Sequence, residues 1–115
     1  MSEDLIEYVS DETYAAEVGA ATEPILLDFT AEWCEPCKAM DPALEECRTK
    51  YAGRLRILKV DLDDSPDLCD ELGVFSIPTL IFVSGGQPRH RVGGARGYDQ
   101  IVQEIDSFLD RWSVP

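Results

Sequence analysis

The chain has 115 residues, 44% hydrophobic and 29% charged, a balance that gives one globular domain with its own core and excludes a disordered chain. A formal net charge of −13 excludes nucleic-acid binding, because no basic surface is left to displace phosphate counterions. No apolar run approaches the ~20 residues of a membrane helix. The start, Met1-Ser2-Glu3-Asp4, has neither the basic residues nor the apolar stretch of a secretory signal. A cytoplasmic monomer is therefore expected, although a mature chain whose signal had been removed would look the same. Lysine occurs only at Lys38, Lys50 and Lys59, and acidity this strong fits either a salt-rich cytoplasm or simply a soluble surface.

Leu5–Val9 reads as a short strand. Ser10 is placed to cap a helix over Asp11–Val18, with acids in its first turn and Gly19 as its stop. After Pro24, Ile25–Phe29 is nearly continuous in apolar residues, as a central parallel strand covered on both faces should be. A long helix begins around Cys34 and runs to about Tyr51, with Pro42 inside it as an expected kink. Leu55–Asp61 is the next strand, and Asp63-Asp64-Ser65-Pro66 turns into a short helix. Pro78 opens a second apolar strand, Thr79–Val83. Ser84–Pro88 reads as a hairpin turn, and Arg89–Gly93 as an edge strand pairing back. The last helix sets Ile101, Val102, Ile105, Phe108 and Leu109 on one stripe. The order β-α-β-α-β-α-β-β-α is that of an α/β domain with helices on both faces of a sheet.

Four cysteines, at 34, 37, 47 and 69, are too few and too unevenly spaced for a disulfide scaffold. Cys34-Glu35-Pro36-Cys37 falls where a strand gives way to a helix. Cysteines three apart on a helix have Cβ atoms roughly 5–6 Å apart, close enough to bridge after a small adjustment. At a helix N-terminus the free N–H groups and the positive dipole end stabilise the first sulfur as a thiolate, the attacking species. The second sulfur lies one turn deeper and is expected to wait as a thiol. Pro36 is tolerated because first-turn N–H groups have no helical partner. A zinc site would need two more ligands, whereas Cys47 and Cys69 stand singly and His90 is the only histidine. A structural bridge over so short a loop would add little stability. Cys47 and Cys69 read as core filler, and His90 carries no assignable role.

Trp33-Cys34-Glu35-Pro36-Cys37-Lys38 resembles the Trp-Cys-Gly-Pro-Cys-Lys motif of the thioredoxin family, departing only at Glu35. The resemblance continues through Asp28-Phe29, Pro42, Lys59 with Val60-Asp61, Ile77-Pro78-Thr79, Gly85 and Gly93. It implies the thioredoxin fold, a central mixed β-sheet flanked by helices on both faces, over a single domain spanning 1–115. It implies a protein-disulfide reductase in which Cys34 attacks and Cys37 resolves. Electrons would come from a flavin-dependent thioredoxin reductase or a ferredoxin-linked equivalent and pass to disulfide-containing client proteins, with no bound cofactor. Proline before the second cysteine resembles the reducing branch of the superfamily, not its oxidants and isomerases. A competing possibility is a thioredoxin-like docking module whose redox pair is vestigial; the intact cysteines, Asp28 and Pro78 speak against it.

From periodicity alone, Asp28 is either buried in the apolar strand, with its pKa raised toward neutrality, or solvated at the strand end. The resemblance places it beneath the second cysteine, where it would deprotonate Cys37, with Lys59 on the neighbouring strand pairing with it and modulating it. It also implies a cis Ile77–Pro78 bond and a shallow patch of Trp33, Ile77, Gly93 and Gly94 on which a substrate strand lies, beside Pro36. Glu35 would oppose ionisation of Cys34 and make the protein slightly more reducing, or else select partners with a basic patch.

Overall fold

The computed structural model describes residues 6–112, so Leu5, the expected start of the first strand, lies outside the described residues. Among the described residues, five strands form one sheet in the order β1-β3-β2-β4-β5, with β1 Glu7–Val9, β2 Ile25–Thr30, β3 Arg56–Asp61, β4 Thr79–Ser84 and β5 Gln87–Gly93. β1, β3 and β2 are parallel, β4 runs antiparallel to β2, and β5 antiparallel to β4. The sheet is mixed, as the sequence implied, and β2 is its middle strand. Every residue of β2 and β4 is buried, which is why both read as nearly unbroken apolar runs.

Among the described residues, three α-helices accompany the sheet: α1 Glu35–Lys50, α2 Pro66–Leu72 and α3 Tyr98–Trp112. Met40, Leu44 and Cys47 of α1 and Ile101, Ile105, Phe108 and Leu109 of α3 pack with Leu26, Ile57 and Leu80 on one face of the sheet. Leu68 and Cys69 of α2 pack with Val18, Leu27, Phe29 and Ile81 on the other. Alternation along β2 thus divides its side chains between two cores.

Two elements differ from expectation. No helix spans Asp11–Val18; turns at 11–13 lead into a π-helical segment, Ala15–Gly19. The Asp11 carboxylate does not serve a helix of its own. It accepts the backbone N–H groups of Asp67 (3.3 Å) and Leu68 (2.8 Å) and so caps α2, where Ser65 makes no side-chain cap. The hairpin is also tighter than Ser84–Pro88. Gly85 and Gly86, both at positive φ, make the turn, and Gln87 and Pro88 already belong to β5. Pro88 is accommodated because β5 is an edge strand beside a register shift at Phe82/Val83. Gly86 has a further reason to be glycine: a Cβ there would lie 2.4 Å from the Gly19 carbonyl oxygen. His90, without an expected role, contacts Glu104 at 2.8 Å and joins β5 to α3.

α1 and α3 are joined by the fully buried Tyr51, whose hydroxyl donates to Asp106 Oδ1 at 2.7 Å. Burial and that hydrogen bond push the Tyr51 pKa well above its ordinary value, so the hydroxyl keeps its proton throughout the physiological range. Tyr51→Phe is expected to cost about 1–2 kcal/mol in urea unfolding, the lost bond to a charged acceptor, with an unchanged m-value.

Candidate active site

β2 leads through Ala31, Glu32 and Trp33 to Cys34, which has extended backbone (φ −93°, ψ 102°) and is the N-cap of α1. Its sulfur accepts the Cys37 backbone N–H at 3.2 Å, so an otherwise unpaired first-turn donor points at it. Pro36 sits in that first turn, where no N–H is needed. Cys34 and Cys37 form a disulfide with Cα atoms 5.3 Å apart. Cys34 retains 4% exposure and Cys37 none, so the first sulfur is less open than the sequence suggested, yet it is the one with residual access. Ala31 and the half-buried Leu62 and Ile77 pack around the pair. Cys47 and Cys69 are buried in the two cores, and burial pushes both thiols up, Cys47 to about 11, so they stay protonated and unreactive at neutral pH. Among the described residues no three His, Cys, Asp or Glu side chains converge as metal ligands would.

The Ile77–Pro78 bond is cis. The Pro78 carbonyl accepts the Gly94 N–H at 2.8 Å, and Gly93 lies opposite Thr79 in the β4–β5 ladder. These contacts bring Ile77, Pro78, Gly93 and Gly94 together, with Ile77 packed against the cluster of Ala31, Cys34 and Cys37. The Trp33 ring is 62% exposed, and its indole N–H donates to Asp63 Oδ2 at 2.8 Å. Glu35 extends into solvent 3.8 Å from the Lys38 ammonium, so its charge reaches Cys34 partly compensated.

Asp28 is fully buried, which decides against a solvated strand end. Neither carboxylate oxygen has a hydrogen-bond partner among the described residues. Burial raises its pKa to about 7; Lys59 opposes that shift and Asp41 adds to it. Lys59 stands directly across from Asp28 in the β2–β3 register, but its ammonium contacts Asp41 Oδ1 at 3.2 Å. The expected Lys59–Asp28 pair is therefore replaced by a Lys59–Asp41 pair, and Lys59 acts on Asp28 through space.

A sulfur pair at a helix N-terminus can cycle between dithiol and disulfide and exchange with other disulfides. Fold and site together define a thiol–disulfide oxidoreductase. The sequence model described as Thioredoxin matches residues 5–107. The chain is 41% identical over 101 residues to the thioredoxin of Mycobacterium tuberculosis (strain ATCC 25618 / H37Rv), covering 88% of this chain and 87% of that one. It is 39% identical over 106 residues to the thioredoxin of Acidithiobacillus ferridurans, covering 92% and 98%. A bifunctional thioredoxin reductase/thioredoxin of Mycobacterium leprae is 39% identical over 101 residues, 88% of this chain but only 22% of that longer protein. The chain belongs to the thioredoxin family and is a disulfide reductase acting by thiol–disulfide exchange.

Two neighbours of the site residues escaped sequence reasoning: Asp41 and Asp63. Asp41 had a usable signal, a carboxylate four residues after Cys37 and therefore on the same helix face. Asp63 had none, because only the folded loop brings it to Trp33.

The pKa of Asp28 has a direct consequence for stability. Its carboxyl rises from the ordinary 3.8 to about 7, so the neutral acid fits the fold and the ionised form strains it. The penalty is absent below pH 3.8, grows as pH rises, and is complete above about 7. In the oxidised protein, Asp28→Asn should be more stable than the parent at pH 8 by up to about 4 kcal/mol. Denaturant titrations should show that advantage shrinking steadily as the pH is lowered to 4; an advantage independent of pH would contradict it.

Proposed function

We propose that Cys34 is the nucleophile, Cys37 the resolving thiol, and Asp28 the base that serves the resolving step. The Cys34 thiolate attacks one sulfur of a client disulfide, forming a mixed disulfide and releasing the other client sulfur as a thiolate. Asp28 takes the Cys37 proton, and the Cys37 thiolate attacks Cys34 Sγ. The Cys34–client bond breaks, the second client sulfur leaves and is protonated, and the Cys34–Cys37 disulfide remains. Two electrons and the one proton of Cys37 have passed to the client, whose first-released thiolate takes its proton from solvent. The observation that carries this assignment is the Cys34 sulfur at the N-cap of α1, accepting a backbone N–H, while Cys37 is wholly enclosed one turn deeper. Asp28 suits its role because a carboxyl with a pKa of about 7 both accepts and releases a proton near neutral pH. Lys59 modulates that carboxyl electrostatically.

An extended client segment lies over Trp33, Ile77, Pro78, Gly93 and Gly94, with Pro36 and Glu35 at the rim. Trp33 and Ile77 supply apolar area there, and the two glycines leave the approach unobstructed. The protein works as a cytoplasmic monomer of one domain, without a bound cofactor, and a thioredoxin reductase restores its dithiol. The Mycobacterium leprae protein that joins thioredoxin reductase and thioredoxin in one chain supports that donor.

Trapping separates the two sulfurs. Cys37→Ser should accumulate stable mixed disulfides through Cys34, Cys34→Ser should accumulate none, and neither variant should reduce insulin with dithiothreitol as donor. Equal trapping by both variants would sink the division of roles.

A further inference from the structure

The Lys59–Asp41 contact is the feature of the site that the reaction as written leaves unused. Lys59 is a buried ammonium, 5% exposed, in register with a buried carboxylate that has no hydrogen-bond partner among the described residues. Its nitrogen is 3.2 Å from Asp41 Oδ1, an ionic contact without the direction of a hydrogen bond. Asp41 is 37% exposed and lies one helical turn beyond Cys37, on the same face of α1. The charges acting on Asp28 are Lys59 from β3 and Asp41 from α1. β4 faces it with Leu80, and Tyr8 of β1 stands across from Lys59, with its ring 5.9 Å from the ammonium.

We propose that Asp41 is a positioning residue for the reductase reaction: it holds the Lys59 ammonium toward the surface of α1, so that Asp28 serves the resolving cysteine as a base not bound to a cation. The inference rests on the assignment of Asp28 as that base. Asp28 is the register partner of Lys59, so an ammonium no longer held by Asp41 acts more strongly on that carboxylate. A bonded cation within ~4–6 Å favours the ionised carboxylate and makes it a weaker proton acceptor. Asp41 also adds its own negative charge beside Asp28, which acts in the same direction as drawing the ammonium away. One exposed carboxylate thus strengthens a buried base in two ways. It does so without touching the sulfurs or the client, through the only strand residue directly opposite Asp28 on β3.

The test combines a titration with a rate profile. The Asp28 carboxyl is followed by carbon-13 NMR in the oxidised protein. The pH dependence of reaction of the reduced protein with excess insulin disulfide is followed by Trp33 fluorescence. Asp41→Asn should move the Asp28 midpoint down by about one pH unit and displace the acid limb of the rate profile the same way. Asp41→Glu, which keeps the charge, should return both toward the parent values, a rescue that a packing role would not give. Lys59→Met should move the midpoint up, and in that background Asp41→Asn should shift it less than in the parent. An Asp28 midpoint unmoved by Asp41→Asn, or Asp41→Glu behaving like Asp41→Asn, overturns the proposal. Asp28→Asn distinguishes the two layers. If it abolishes the acid limb while Asp41→Asn leaves the Asp28 titration unmoved, the base assignment stands and the positioning role falls. If it leaves the limb in place, the base assignment itself falls.

Discussion

β2 is hydrogen-bonded along both edges and covered on both faces, so each of its side chains must be apolar or carry a specific compensation. Leu26 meets that demand on the side of α1 and α3, and Ile25, Leu27 and Phe29 meet it on the other. Asp28 does not. A carboxylate at the most enclosed strand of the sheet cannot ionise cheaply, and the fold supplies charge around it rather than hydrogen bonds to it. The same strand ends at the loop that carries Cys34. One double-sided burial therefore both raises the proton affinity of Asp28 and aims the chain at the sulfur pair.

Around that strand the molecule separates rigid support from access. α1 and α3 are tied through Tyr51 and Asp106, and α2 is capped from across the fold by Asp11. The open side is formed by loops: Trp33 braced by Asp63, the cis Ile77–Pro78 segment, and Gly94 bonded back to Pro78. Loops held at both ends by a packed scaffold can present backbone and apolar area at the surface without a deep pocket. The strong negative charge of the chain stays largely at the surface. Asp28 is the one acidic residue with no exposure, and Lys59 is the one buried cation among the described residues.

Much of this was legible in the residues. Local rules sufficed for the apolar runs of β2 and β4, the stripe of α3, the proline-tolerant first turn of α1 and the reactive placement of Cys34-Glu35-Pro36-Cys37. These features depend on neighbours within a few positions along the chain, and such neighbours are written in order. Asp11 shows the opposite case. It has the composition of a helix start, but its carboxylate caps a helix more than fifty residues away, and the segment after it becomes a π-turn. The hairpin boundary moved for a similar reason, since β5 continues through Pro88 because its outer edge has no partner among the described residues.

The sequence by itself determined the fold class, the redox pair and the presence of a carboxylate within an apolar strand, because hydrophobic periodicity and helix-terminus chemistry are local properties. The tertiary structure alone decided that Asp28 is fully enclosed, that Lys59 turns to Asp41, and that Trp33 leans on Asp63. Each of those outcomes depends on the distance between charges or dipoles carried by separate elements. Electrostatic energy depends on that separation and on the surrounding dielectric, and neither exists until the chain has folded.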